Sequence, residues 1–194
     1  HTTLHDVVAL VRDLRLRTEV PLVLFTYYNP MLAYGLETFA REAAAAGVDG
    51  ILCVDLPPEE SDEYRRLLAD QGIDTVYLIA PTSTDERIER ISRVSSGFIY
   101  YVSRTGVTGV RQDIAASMGE MVARIKAHSD TPVAVGFGIS TPEQAHEVAQ
   151  SADGVIVGSA IVRKIGEWGA RADLADAVGA FARPFADAIK QGGQ

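Results

Sequence analysis

A single cysteine, Cys53, excludes an internal disulfide framework in this chain of 194 residues. That usage fits a reducing compartment, and the chain reads as cytoplasmic. No apolar run approaches the roughly 20 residues of a membrane span. The opening His1-Thr2-Thr3-Leu4-His5 carries no signal-peptide pattern. Positive charge is scarce, with 18 Lys plus Arg against 26 Asp plus Glu and a net charge of -8. Sequence-independent nucleic-acid binding needs a basic face, so that class is disfavoured. Histidine is also scarce: His1, His5, His128 and His146 stand at no metal-ligand spacing with Cys53 or a carboxylate. His128 and His146 fall in or at the end of predicted helices and are expected on the surface. Cys53 falls inside a predicted strand and is expected to be a packed core thiol. No GxSxG, P-loop or GxGxxG pattern occurs, and Gly136-Phe137-Gly138 lacks the third glycine of a dinucleotide fingerprint.

What is present is an alternation. Short β-rich runs occur at 21–26, 50–54, 75–79, 97–102, 132–136 and 154–158. They are nearly continuous in apolar residues, as strands covered on both faces are. Helix patterns separate them. One spans Leu4 to Leu16 ahead of the first run. Another carries Leu36, Phe39, Ala40, Ala43 and Ala44 and stops at Gly47. Others run from Glu59 to Ala69 with Gly72 as terminator, from Thr84 to Val94, and from Ile114 to Ala127. Thr141-Pro142-Glu143-Gln144 places an N-cap and an N1 proline. Two stretches, Leu174 to Ala180 and Phe181 to Lys190, close the chain, with Pro184 as a break or as a first turn.

Six βα repeats with no linker predict one α/β domain over 1–194, built on a parallel sheet. An open doubly wound sheet and a (β/α)8 barrel both fit. Six units fill an open sheet, whereas a barrel of about 250 residues needs eight. As a barrel, the chain would lack the first two strands.

In either architecture ligands bind beyond the strand C-termini. After the fifth run comes Gly136-Phe137-Gly138-Ile139-Ser140, and after the sixth Gly158-Ser159-Ala160-Ile161-Val162. Glycines there let backbone N–H groups approach an anion, or simply serve turn geometry; two such loops on the last two strands favour a phosphate. The fourth loop, Tyr100-Tyr101-Val102-Ser103-Arg104-Thr105-Gly106-Val107-Thr108-Gly109, is rich in hydroxyls and glycine around one cation. It reads as a polyol or phosphate wrap, or as a solvated loop. In the second loop Asp55 is a candidate acid or a cap of the following turn, while Glu59 and Glu60 read as first-turn carboxylates. Tyr27-Tyr28-Asn29-Pro30-Met31-Leu32 forms the first loop, whose aromatics suit stacking on a flat substrate or plugging the sheet end.

Together the loops identify a family. The segments Thr26-Tyr27-Tyr28-Asn29-Pro30, Asp55-Leu56-Pro57-Pro58-Glu59-Glu60-Ser61 and Tyr100 through Gly109 resemble the α subunit of tryptophan synthase. So do Gly136 through Gln144 and Gly158 through Val162, in the family's order across nearly the whole chain. The resemblance implies a TIM (β/α)8 barrel, with only about six βα units in this chain. It implies retro-aldol cleavage of indole-3-glycerol phosphate to indole and glyceraldehyde 3-phosphate. It implies no metal and no cofactor in this subunit, and a β subunit carrying pyridoxal phosphate in an α2β2 complex. By the same resemblance Gly109, Phe137, Gly138, Gly158 and Ser159 bind substrate and its phosphate. Phe25, Tyr27, Val54, Leu78, Tyr100 and Val157 line the pocket. Arg104, Thr105, Gly106, Val107 and Thr108 form a mobile loop, and Asn29, Asp55, Leu56 and Pro57 face the β subunit. The family's catalytic glutamate and aspartate follow its first two strands, and no residue here matches either. Catalysis is therefore expected to be absent from the chain as written. The alternatives are a non-catalytic phosphate- and partner-binding fragment, or another phosphate-binding barrel enzyme. The second of these needs a lysine or carboxylate at a strand end, where Asp55 alone qualifies.

Overall fold

Thr3 starts the first helix with a reciprocal cap: its Oγ1 accepts the Asp6 N–H at 3.3 Å, and Asp6 Oδ2 accepts the Thr3 N–H at 2.8 Å. The computed structural model describes residues 2–103, 111–136 and 138–192, with backbone alone for 111–116. These residues pack as two units, His1–Leu78 with Arg90–Phe98, and Ile79–Glu89 with Ile99–Gln194.

In the first unit α1 (Leu4–Arg15) precedes β1 (Val23–Thr26), α2 (Tyr28–Tyr34), α3 (Leu36–Ala46), β2 (Gly50–Cys53), α4 (Asp62–Ala69) and most of β3 (Asp74–Ile79). The end of α5 (Asp85–Val94) completes it. The strands are parallel and pair in chain order, Val23 with Gly50 and Gly50 with Asp74. Phe39, Met31, Ile51 and Leu68 are fully buried at its centre. Each contributes about 1.5–3 kcal/mol by leaving water.

Arg15 ties three segments of this unit together. Its Nε and Nη2 donate to Gly47 O at 2.9 and 2.7 Å, and its Nη1 donates to Val20 O at 2.8 Å. Nη2 also meets Asp49 Oδ2, which accepts the Leu22 N–H at 2.6 Å. Gly47 ends α3 at φ 95°, and a Cβ there would stand 2.5 Å from Arg15 Cγ. The glycine is thus required twice, by the left-handed turn and by the arginine lying over it.

In the second unit β4 (Ile99–Val102), α6 (Arg111–Lys126), β5 (Val133–Gly136), α7 (Pro142–Ala149), β6 (Gly154–Ile156), α8 (Ser159–Trp168) and α9 (Leu174–Gly192) follow in order. Ile99 pairs with Val133 and Ala134 with Gly154, again parallel. Ile99, Ile125, Val133 and Val135 are fully buried. Asp153 joins the starts of β5 and β6: its N–H donates to Val133 O at 2.9 Å, and its Oδ2 accepts the Val133 N–H at 2.8 Å.

Several expectations change. The first run is not covered on both faces: in β1 Leu24 is buried, while Val23 and Phe25 are exposed. The helix expected from Glu59 is a 3-10 turn, Pro58–Glu60, followed by α4, and its C-cap is Asp70; Gly72 lies two residues further on at φ 72°. Glu59 there meets Arg90 at 2.7 Å. The first loop is largely helix α2. The two closing stretches are one helix, α9, continuous through Pro184. A proline inside a helix removes one hydrogen bond, and here packing holds the helix across the gap. His146 is not a free surface residue, because its Nδ1 lies 3.0 Å from Ala188 O of α9. His128 is exposed, as expected, with Nε2 3.8 Å from Asp85.

Candidate functional site

The first unit brings apolar side chains to the C-terminal ends of its strands. Phe25 and Tyr27, two positions apart at the end of β1, are 67% and 62% exposed. Val54 and Leu78 are half-buried at the ends of β2 and β3. Tyr27 is the N-cap of α2 and has no side-chain cap bond of its own. Asp55 supplies it from the neighbouring strand: its Oδ1 accepts the Tyr28 N–H at 2.7 Å. The carboxylate therefore caps the preceding helix and not the following turn. The Cys53 thiol donates to the same oxygen at 3.3 Å. Burial, with the Asp55 carboxylate adding to it, pushes the Cys53 thiol up to about 12, and Cys53 is the core thiol expected. Asn29 and Asp55 are exposed and Pro57 is half-buried, whereas Leu56 is buried in the core of the unit.

The second unit brings glycine and backbone donors to its strand ends. Tyr100 and Val157 are half-buried, and burial raises the Tyr100 phenol above its ordinary value. Gly138 follows β5 at φ 76°, a conformation that side chains resist. The next turn is fixed by Gln144, whose Oε1 accepts Ser140 N at 2.8 Å, Ser140 Oγ at 3.1 Å and Thr141 N at 3.2 Å. Thr141 Oγ1 accepts the Gln144 N–H at 3.3 Å, so the expected N-cap with Pro142 at N1 is realised.

After β6, Gly158 is the N-cap of α8, a helix that the sequence reading missed. Gly158 O accepts the N–H groups of Ile161 and Val162 at 3.0 and 3.1 Å. The first-turn N–H groups of Ser159 and Ala160 have no acceptor within the helix. Gly138, Gly158 and Ser159 are all exposed. A Cβ on Gly158 would meet nothing within 4 Å, and its φ of -111° suits any residue. Neither folding nor packing demands a glycine there. Its backbone is open to approach from outside.

Arg104, Thr105, Gly106, Val107, Thr108, Gly109 and Phe137 lie outside the described residues. Among the described residues, no group of three or more His, Cys, Asp and Glu could hold a metal ion. No described helix is long and apolar enough to cross a membrane.

The model of the family described as "Tryptophan synthase alpha chain" matches residues 1–190. The chain belongs to the tryptophan synthase alpha chain family. It is 51% identical to the tryptophan synthase alpha chain of Geobacter sulfurreducens over 188 residues, covering 97% of this chain and 71% of the relative. Against that of Opitutus terrae it is 53% identical over 165 residues, 85% of this chain and 62% of the relative. The crystal structure of the Legionella pneumophila alpha chain superposes with TM-score 0.87 at 39% identity, covering all of this chain (100%) and 72% of that one. The Pyrococcus furiosus tryptophan synthase α2β2 complex matches with TM-score 0.85 at 37% identity, over 96% of this chain and 75% of that one. The fold is that of the TIM-barrel tryptophan synthase alpha chains, with six βα units in this chain.

Proposed function

We propose that these residues hold indole-3-glycerol phosphate for cleavage to indole and glyceraldehyde 3-phosphate. The observation that carries this reading is the start of α8. A glycine that the fold does not require stands there beside two first-turn backbone N–H groups that the helix itself does not engage, at the end of a strand. That is a cradle for a phosphate dianion, which the helix dipole further favours. Gly138 and Ser159 belong to the same grip in the second unit, with Gly109 and Phe137 from outside the described residues. Tyr100 and Val157 are lining residues of that unit. Phe25, Tyr27, Val54 and Leu78 offer apolar surface at the strand ends of the first, chemistry suited to an indole ring.

The cleavage needs one group to protonate the ring carbon and another to take the glycerol hydroxyl proton. No residue here corresponds to the family's acid pair. The only carboxylate named at a strand end, Asp55, is engaged with Tyr28 N–H and Cys53. These 194 residues by themselves are thus a binding platform without the acid pair. Asn29, Asp55 and Pro57 would meet the β subunit, which carries pyridoxal phosphate in this family; buried Leu56 would contribute through its backbone. Arg104 through Thr108 would form the mobile loop.

A polypeptide of these 194 residues tests both halves of the reading. Calorimetry should show binding of indole-3-glycerol phosphate, and an indole assay should show no release with or without β subunit. Absence of binding would remove the cradle. Release of indole would place the acid pair among these residues.

A further inference from the structure

A cleft of about 390 Å³ opens in the first unit along α4, the end of α5 and the start of β3. Its walls hold three guanidinium groups, Arg65, Arg66 and Arg93, against one carboxylate, Asp62. Two of the three are paired, Arg65 with Asp62 and Arg66 with Asp70. Arginines near helix C-termini ordinarily serve to meet the last carbonyls. Here other donors already meet them. At the end of α4 the N–H groups of Asp70 and Gln71 donate to Arg66 O and Leu68 O at 2.9 and 3.0 Å, and Gly72 N donates to Ala69 O at 3.0 Å. At the end of α5, Ser95 N and Oγ donate to Ile91 O at 3.0 and 2.9 Å, and Thr75 Oγ1 donates to Val94 O at 2.9 Å.

Arg65 and Arg66 have donors to spare. Arg66 meets Asp70 through one contact of 3.2 Å, with side chains 62% and 59% exposed, and so solvated a pair exchanges readily for another anion. Arg65 commits Nε to Ser61 Oγ at 3.3 Å and Nη2 to Asp62 at 2.5 Å, which leaves part of its five-donor fork. Ser96 Oγ accepts the Thr75 N–H at 3.0 Å, so its own hydroxyl proton remains to be donated. Ile73 adds an apolar patch.

We propose that this cleft binds a small, multiply charged oxyanion of the phosphate-ester or pyrophosphate class, held by Arg65, Arg66, Arg93 and the Ser96 hydroxyl. Its volume exceeds the need of one phosphate and leaves room for a second or for a short carbon skeleton. The cleft lies at Thr75, where β3 begins. The apolar residues of the proposed substrate site lie where the strands end, about 10 Å further along β3 at Leu78. A ligand here bridges α4 to the last turn of α5 and acts on the unit without touching the chemistry.

The probe is inorganic pyrophosphate, titrated by calorimetry and by amide NMR into protein carrying Gly158→Ala, so that the cradle of α8 does not contribute. Saturable binding is expected, with shifts at Thr75 and Ser96 and a loss of about tenfold or more in Arg66→Gln/Arg93→Gln. Both arginines are exposed, and a thermal melt checks that the variant folds; if it does not, Arg66→Gln alone carries the comparison. No binding up to about 10 mM would overturn the site. So would binding that the arginine substitutions leave unchanged.

Discussion

The Tyr100 hydroxyl lies over Gly136. A Cβ on that glycine would stand 3.0 Å from the phenolic oxygen, 2.7 Å from Ile156 Cβ and 2.9 Å from Ile156 O. Three neighbouring strands meet above a residue with no side chain. Gly136→Ala is therefore expected to destabilise the protein by about 1–3 kcal/mol, measured by urea unfolding. Tyr100→Phe in the Gly136→Ala background should recover little, because the tightest contacts are with Ile156. Full recovery would mean that the phenol alone sets the limit.

Gly158 is the opposite case, a glycine with open space around it. Gly158→Ala should change stability by no more than about 0.5 kcal/mol. It should weaken indole-3-glycerol phosphate binding by about tenfold or more, since the methyl stands where the phosphate approaches. Unchanged affinity would move the phosphate elsewhere. Gly138→Ala is a poorer probe, because its φ of 76° adds backbone strain to any effect on binding.

Arg15→Met should cost about 2–3 kcal/mol, since it strips charged donors from Gly47 O and Val20 O and a partner from Asp49. Arg15→Lys should restore less than half, because an ammonium cannot reproduce the fork. Chemical denaturation of the three proteins gives the order, and a lysine variant equal to wild type would reduce Arg15 to a point charge.

Asp153 gives a pH dependence with a definite sign. Burial raises its carboxyl, but the Lys126 ammonium at 2.7 Å and the Val133 N–H outweigh that and hold it below the ordinary aspartate value. A depressed folded value means that the ionised group stabilises the fold above the unfolded pKa, about 3.9. That stability is lost as pH falls through the folded value. Asp153→Asn should flatten the acid limb of a stability–pH curve below about pH 4 and lower the plateau above it. A parallel downward shift at every pH would assign Asp153 a packing role only.

Much of this was legible before any coordinates. The Gly47 stop, the Thr141 cap and all six strands follow from local chemistry, where each residue acts on its neighbours. Three of the misreadings share a cause: the deciding partner is distant in sequence. Tyr28–Tyr34 reads as part of a loop at a strand end, while the cap that starts it as a helix is Asp55. His146 looks superficial until α9 arrives over it. Pro184 reads as a breaker because nothing nearby reveals the packing that carries α9 across it. In the candidate site the glycine loops were visible as a pattern. Which glycine the fold requires and which it does not depends on the side chains around Gly136 and Gly158.

Thr75 shows what the division of the chain means during synthesis. Its hydroxyl and amide are bonded to Val94 O and Ser96 Oγ, which belong to the same unit but follow an excursion of the chain through residues 79–89. A nascent polypeptide paused soon after Leu78 has the first three strands of this chain but lacks both side-chain and backbone partners of Thr75 from the end of α5. The bonding of the first unit is therefore completed only when the end of α5 has left the ribosome, so translation itself sets the earliest moment of its completion.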